Sequence, residues 1–162
     1  MKNQGFTLIE ILLSVALLAV FIPAITDIYS LSLFTASQGE KFAQANSLAQ
    51  EQMEAIFYIK DNDPGWDWND STINTSPTEY YQPQIMAGNW QLGAKTSTST
   101  PIDDFTKTVQ IIEIWRDPGN HNITPTGTGS LDNYSRQAKV TVTWTEKGQP
   151  QQVTLESLVT QN

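Results

Sequence analysis

The chain opens with an almost unbroken run of apolar residues. Residues 6–25 carry a single charged side chain, Glu10, near the start of the run. A helix needs about 20 residues to cross the roughly 30 Å of hydrocarbon in a bilayer, so this run predicts a transmembrane helix. Lys2 and the original amino terminus are the positive charges next to it. They favour an amino terminus inside the cell and the remainder outside.

The same helix is predicted to continue beyond the membrane, to residue 59, as an amphipathic segment. No Gly-Pro cluster interrupts residues 27–60, and the apolar positions keep a period of about 3.6 residues. The apolar stripe comprises Phe42, Ala45, Ala49, Met53 and Ile56, and the opposite face comprises Glu40, Gln44, Ser47, Glu51 and Tyr58. Since the charged positions lack a sustained heptad pattern, a globular domain explains the stripe better than a coiled coil.

The carboxyl-terminal part alternates in the manner of half-buried strands. Val140, Val142 and Trp144 fall on one face, and the threonines between them fall on the other. The predicted elements are a strand over residues 139–146, a turn at Lys147-Gly148-Gln149-Pro150, a returning strand over residues 151–159 and a third strand over residues 105–115. An α+β fold follows, in which the outer half of the helix packs on a small antiparallel sheet of three or four strands.

Glu10 is the candidate functional residue of the membrane segment. An ionised carboxylate in hydrocarbon costs several kcal/mol unless it is paired, so a partner for Glu10 is expected. The alternative is a carboxylate that snorkels to the membrane surface and has no role in assembly.

The residues that lead into the apolar run, Gly5-Phe6-Thr7-Leu8-Ile9-Glu10, resemble the cleavage and methylation motif of type IV prepilins and of type II secretion pseudopilins. The resemblance implies that a prepilin peptidase cuts between Gly5 and Phe6 and that the new amino group of Phe6 is N-methylated. Cleavage creates an ammonium at Phe6, with which Glu10 of a neighbouring parallel subunit is able to pair. Such pairing offsets the cost of burying either charge alone.

Two further stretches resemble the minor subunits of this group. Residues 43–56 resemble the Leu-Ala-Gln-x-x-Met/Leu-Glu helix of V-type minor pilins and I-type minor pseudopilins, and residues 140–155 resemble their closing hairpin. The resemblance implies a structural minor subunit whose partners are other pilin or pseudopilin subunits and an inner-membrane assembly platform. Such a subunit is first a single-pass inner-membrane protein and then part of an extracellular or periplasmic filament. Pilus, secretion pseudopilus and competence filament stay open as the system served.

The predicted organisation has four parts. They are a leader peptide over residues 1–5, a transmembrane and assembly helix over residues 6–28, its amphipathic outer half over residues 29–60 and a globular pilin-like domain over residues 61–162. Pro23 falls in the transmembrane part, where it lacks an N–H and clashes with the carbonyl of Ala19, so a kink is predicted there. Residues 22–27 either unwind when the subunit passes from bilayer to filament or keep a static kink.

Composition limits the remaining functions. The chain has 17 acidic and 9 basic residues and a net charge of -8, so direct nucleic-acid binding through a basic surface is not expected. No cysteine is present, so packing must hold the outer domain together without disulfides. The one histidine, His121, has no metal-ligand spacing around it. Neither enzymatic activity nor a resident cofactor is expected.

Two irregular regions carry weaker signals. Asp61, Asp63, Asp67 and Asp70 offer oxygen ligands for calcium, but their spacing does not match an EF-hand loop, and a solvated turn is favoured. Residues 117–130 are rich in turn formers and are predicted as a long surface loop.

A membrane-tethered binding or adhesion module is the rival interpretation. Trp66, Trp68 and Trp90 would then hold a ligand in the loops of the outer domain. In a small domain without disulfides, however, such side chains more often fill the core. Replacing Glu10 by alanine separates the two interpretations, because filament assembly depends on the carboxylate and ligand binding by an outer domain does not.

Overall fold

One long helix and seven strands make up the part of the chain that the computed structural model describes, residues 7–62, 80–93, 99–125 and 127–161. The helix, α1 (Leu8–Asn62), is 55 residues long, which corresponds to about 80 Å at 1.5 Å per residue. It confirms the predicted continuous helix and ends three residues later than expected. The chain divides into two compact units, Met1–Lys41 and Phe42–Asn162, and α1 contributes to both.

The strands all belong to the second unit. They are β1 (Pro83–Met86), β2 (Asn89–Leu92), β3 (Thr100–Ile102), β4 (Phe105–Arg116), β5 (Ile123–Thr124), β6 (Ser130–Glu146) and β7 (Gln149–Thr160).

Five of these strands form the main antiparallel sheet. Its order is β3-β4-β6-β7, and β5 pairs with the end of β4. β1 and β2 form a separate hairpin. The predicted sheet of three or four strands therefore has fewer strands than the observed one, because short strands were missed. β3 has three residues and β5 has two, which is too few to leave an alternating pattern in the sequence.

The outer half of α1 packs on one face of the main sheet. Ala45, Ala49 and Ile56 have no exposed surface, and neither have Val140 and Val142 of β6. The cluster is completed by Met53, Ile59, Tyr81, Phe105, Val109, Ile111, Ala138, Trp144, Val153 and Val159. The alternation predicted for β6 is confirmed, and the arrangement is the expected α+β, pilin-like fold.

The outer half of α1 differs from the predicted stripe most clearly at one exposed aromatic position and at one buried polar position. Phe42 was assigned to the buried stripe but is 55% exposed, and it meets the core through an edge contact with Trp144 at 6.3 Å between ring centroids. Gln52 was not assigned to the stripe but is fully buried. It lies seven residues after Ala45 and three after Ala49, so its position on the helix places it in the core despite its polarity.

The connection between β6 and β7 is tighter than the predicted four-residue turn. Lys147 and Gly148 form it alone, with φ angles of 48° and 78°, and Glu146 pairs with Gln149. Two successive positive φ angles are typical of the type I′ turn, which matches the twist of a hairpin. Pro150 therefore lies inside β7, where its missing N–H is tolerated because β7 ends the strand order of the described sheet.

The region predicted as a long surface loop, residues 117–130, is more ordered than expected. Ile123–Thr124 form β5, which pairs with Trp115 and Arg116, and Ser130 already begins β6. The turn formers in this region are used in hydrogen-bonded turns between short paired segments.

Candidate assembly site on the amino-terminal helix

The first part of α1 exposes apolar side chains on all its sides. The exposed fraction of its large apolar residues ranges from 51% at Leu17 to 79% at Leu8. They are Leu8, Ile9, Ile11, Leu12, Leu13, Val15, Leu17, Leu18, Val20, Phe21, Ile22, Ile25, Ile28, Tyr29, Leu31 and Leu33. This helix is long and apolar enough to cross a membrane. A helix that is apolar all round needs lipid or other helices around it.

Glu10 lies in the first turn of α1 and is exposed. Its N–H donates to the carbonyl oxygen of Thr7 at 3.0 Å, and its own carbonyl oxygen accepts from Ser14 Oγ at 2.8 Å. Among the described residues, no cation forms a salt bridge with the Glu10 carboxylate. A negative charge in the first turn interacts favourably with the helix dipole, and the carboxylate is available to a partner outside this chain.

The spacing of Thr7 and Glu10 carries a second signal that the sequence analysis missed. A Thr followed three residues later by Glu is the pattern of a helix-capping box. The helix begins directly after Thr7, whose carbonyl oxygen accepts the first backbone hydrogen bonds, from Glu10 and Ile11. The observed start of α1 at Leu8 agrees with the helix terminus that this pattern predicts.

Hydroxyl side chains in the apolar part of α1 bond to their own helix. The hydroxyl groups of Ser14, Thr26 and Thr35 each donate to a carbonyl oxygen four residues earlier, at 2.8, 2.9 and 3.0 Å. These bonds satisfy the hydroxyl groups without a partner helix. In hydrocarbon this is important, because no water is present to form hydrogen bonds with them. Ser and Thr at such positions are the sequence signal for this arrangement.

Pro23 lies inside α1, which continues through it without interruption. The hydroxyl of Thr26 donates to the carbonyl oxygen of Ile22, one turn earlier, at 2.9 Å, and this bond adds support close to the proline. The kink and the unwinding of residues 22–27 during assembly stay predictions.

The residues of the predicted cleavage site, Gly5 and Phe6, lie outside the described residues. Of the calcium candidates, Asp61 lies in the last turn of α1 and forms an ion pair with Lys60 at 3.0 Å. The other three, Asp63, Asp67 and Asp70, also lie outside the described residues. Across residues 7–62, 80–93, 99–125 and 127–161, no group of three or more His, Cys, Asp or Glu side chains is arranged to hold a metal ion.

Of the three tryptophans of the rival interpretation, the structure describes Trp90. Trp90 lies in β2, is half-buried and packs against the core. Trp66 and Trp68 lie outside the described residues. His121 is exposed in the turn after β4, as its sequence context predicted.

Comparison with known proteins places a defined motif on this helix. The family model for the prokaryotic N-terminal methylation motif matches residues 1–22. Searches of curated proteins and of solved structures gave no match. The matched residues include the predicted cleavage site, Glu10 and the first part of the apolar helix.

The methylation motif over residues 1–22, followed by a long helix that packs on an antiparallel sheet, is similar to the arrangement of type IV prepilin-like proteins. The motif lies at the start of a helix that is long and apolar enough to cross a membrane. It does not distinguish a minor pilin from a pseudopilin.

Proposed function

We propose that this protein is a structural minor subunit of a type IV pilus or of a type II secretion-like pseudopilus. The main support comes from the first part of α1, which has exposed apolar side chains on all sides and one carboxylate in its first turn. It overlaps the methylation motif over residues 1–22. Such a helix suits two environments in succession. It first lies in the bilayer and then packs among parallel helices of other subunits in a filament.

Processing and assembly are coupled in this proposal through one ion pair. A prepilin peptidase cuts between Gly5 and Phe6, and the new ammonium of Phe6 is N-methylated and keeps its charge. In the filament, the Glu10 carboxylate of one subunit pairs with the Phe6 ammonium of a neighbour. Removing either partner would leave a charge buried without compensation, which is strongly destabilising.

The pair also fixes the axial position of one subunit relative to the next. Apolar helix packing is non-directional, so on its own it tolerates sliding along the helix axis. One buried ion pair for each contact selects a single register, as polar residues do in coiled coils.

The remaining partners and the location follow from this role. The subunit starts as a single-pass protein of the inner membrane with its amino terminus inside the cell. An inner-membrane assembly platform extracts it into the filament with other pilin or pseudopilin subunits. The helix over residues 43–56 and the closing hairpin support a minor rather than a major subunit, through their resemblance to V-type and I-type subunits.

Replacing Glu10 by alanine in the cell that builds the filament tests the proposal. Incorporation of the subunit into sheared filaments should fall by at least about tenfold, which corresponds to about 1.4 kcal/mol, while the membrane level of the subunit stays unchanged. Ser14→Ala is the matched control, because Ser14 lies one turn further along the same exposed helix and its hydroxyl donates to a backbone carbonyl oxygen, that of Glu10, and leaves the Glu10 carboxylate in place. Normal incorporation of Glu10→Ala, or an equal loss with Ser14→Ala, contradicts the assigned role of the carboxylate.

A further inference from the structure

A pocket lies where β4 and β6 separate near the end of the sheet. The two strands pair regularly up to Glu113 and Arg136 and pair again at Trp115 and Leu131. Four residues of β6 therefore lie opposite the single residue Ile114 of β4, and this stretch of β6 bulges out of the ladder. The pocket is lined by Arg116, His121, Ser130, Leu131, Asp132, Asn133 and Tyr134.

An ion pair between two of the lining residues connects the two strands at this pocket. Arg116 Nε donates to Asp132 Oδ2 at 2.7 Å, and the Asp132 side chain is only 10% exposed. The other oxygen of Asp132, Oδ1, accepts from the N–H of Tyr134 at 2.9 Å. Burial raises the pKa of Asp132, but hydrogen bonds from Arg116, Tyr134 and Ser135 outweigh it, so the pKa lies below its ordinary value.

The loop after β4 contributes His121 to the lining and is held by its own hydrogen bonds. Asp117 Oδ1 accepts from the N–H groups of Gly119 and Asn120 at 2.7 and 3.1 Å. The N–H of His121 donates to the carbonyl oxygen of Asp117 at 2.9 Å, and the carbonyl oxygen of His121 accepts from Arg116 Nη1 at 3.0 Å. The loop is therefore bonded to the same arginine that anchors the bulge.

His121 adopts a backbone conformation that is costly for residues other than glycine. Its φ is 59°, in the left-handed region that non-glycine residues seldom occupy. Such conformations persist only where the surrounding hydrogen bonds impose them, and they concentrate at functional sites. His121, with this conformation, is one of the residues that line the pocket.

Three polar side chains of the pocket have unused hydrogen-bonding capacity. Within the described residues, the side chains of His121, Asn133 and Tyr134 make no hydrogen bond. All three residues are exposed, and Tyr134 is the most open of them, at 73%. An aromatic ring, an amide and an imidazole thus belong to the residues that line the pocket.

The charge of the site argues for an uncharged ligand. The Arg116 charge is balanced by Asp132 at 2.7 Å, and the chain as a whole carries a net charge of -8. An anion would be repelled by the overall charge and would meet no unbalanced cation here. A sugar satisfies these conditions, because it offers an apolar ring face to an aromatic side chain and hydroxyl groups to amide, imidazole and guanidinium groups.

We propose that this pocket binds a neutral saccharide unit, which packs on the Tyr134 ring and hydrogen-bonds to Asn133 and His121. This activity goes beyond the structural role of the subunit and uses none of the tryptophans. It gives the filament a contact for uncharged glycans on the outer domain. The preformed pocket lowers the ordering cost of binding, which suits a small ligand.

The direct test uses the full-length protein in detergent micelles on a glycan array. The array carries neutral glucose, galactose, mannose and N-acetylglucosamine glycans, with sialylated and uronate-containing glycans as the acidic set. Saturable binding to one or more neutral glycans is expected, and titration calorimetry with the best neutral saccharide then gives its affinity. Binding confined to acidic glycans, or no binding to either set, overturns the proposal.

Variants then locate the binding. Tyr134→Ala should weaken binding by at least about tenfold, and Asn133→Ala should weaken it in the same direction. Ile85→Ala is the matched control, since Ile85 is 64% exposed and lies on the separate β1–β2 hairpin. Circular dichroism confirms the fold of each variant. Unchanged binding by both Tyr134→Ala and Asn133→Ala, or an equal loss with Ile85→Ala, rules out this pocket as the site.

Discussion

Gln52 provides the sharpest test of how the core of the outer unit is held together. It has no exposed surface, and among the described residues neither Oε1 nor Nε2 of its side-chain amide has a hydrogen-bond partner. The core around it is apolar, with Ala49, Met53 and Ile56 on the same helix face. A buried amide without partners loses its hydrogen bonds to water on folding and regains nothing.

We predict that replacing Gln52 by methionine stabilises the outer unit. Methionine has nearly the same length and shape, so no cavity is opened, and the two residues have similar helix propensities. The gain is the removed desolvation penalty, about 1–3 kcal/mol. A change of this size is a large fraction of the typical stability of a domain.

Urea unfolding of the protein in micelles, followed by tryptophan fluorescence, measures this change. Gln50→Met is the matched control, because it makes the same chemical change at an exposed position of the same helix turn. Its effect on the free energy of unfolding should stay within about 0.5 kcal/mol. A Gln52→Met variant that is less stable than the wild type would refute the reasoning, since it would mean that the amide is stabilised by partners in the folded protein.

Two further predictions concern the turns and charges of the outer unit. In the β1–β2 hairpin, Ala87 has a φ of 51° and precedes Gly88 with a φ of 85°. Asparagine suits the first of these positions in a type I′ turn, so Ala87→Asn should raise the free energy of unfolding by up to about 1 kcal/mol. An unchanged or lower urea midpoint contradicts this. Asp132 has a lowered pKa in the folded protein, so its charge contributes stability above its unfolded pKa of about 3.9. That contribution is lost as the pH falls through the folded value. Asp132→Asn should therefore cost roughly 1–3 kcal/mol at pH 7, and the cost should shrink in acid; a pH-independent difference argues against the ion pair.

Long, regular segments were predictable from the sequence because their periodicity is strong. The 3.6-residue period identified the outer half of α1, and the alternation of Val140, Val142 and Trp144 identified β6, since both patterns reflect one buried face. Gln52 was missed because a polar residue breaks the pattern even when its helix position dictates burial.

The remaining features depend on tertiary pairing that leaves little local trace. The start of β6 at Ser130 and the bulge opposite Ile114 arise from pairing with β4, and the residues there do not alternate. The pocket with Tyr134 therefore could not be derived from spacing along the chain. The motif that contains Gly5 and Glu10 could be predicted from the sequence, because it depends on a few adjacent residue types rather than on the fold.

We propose above all that the chain is a prepilin whose first five residues are removed, and whose new amino terminus is methylated, before assembly. Mass spectrometry of the mature protein, isolated from cells that hold a prepilin peptidase, tests it most directly. We expect a mature chain that begins at Phe6 with one methyl group on its amino nitrogen, and a chain that keeps residues 1–5 when the peptidase gene is deleted. A mature protein that retains residues 1–5 in the presence of the peptidase, or that begins at another residue, would show that the chain is not processed as a prepilin.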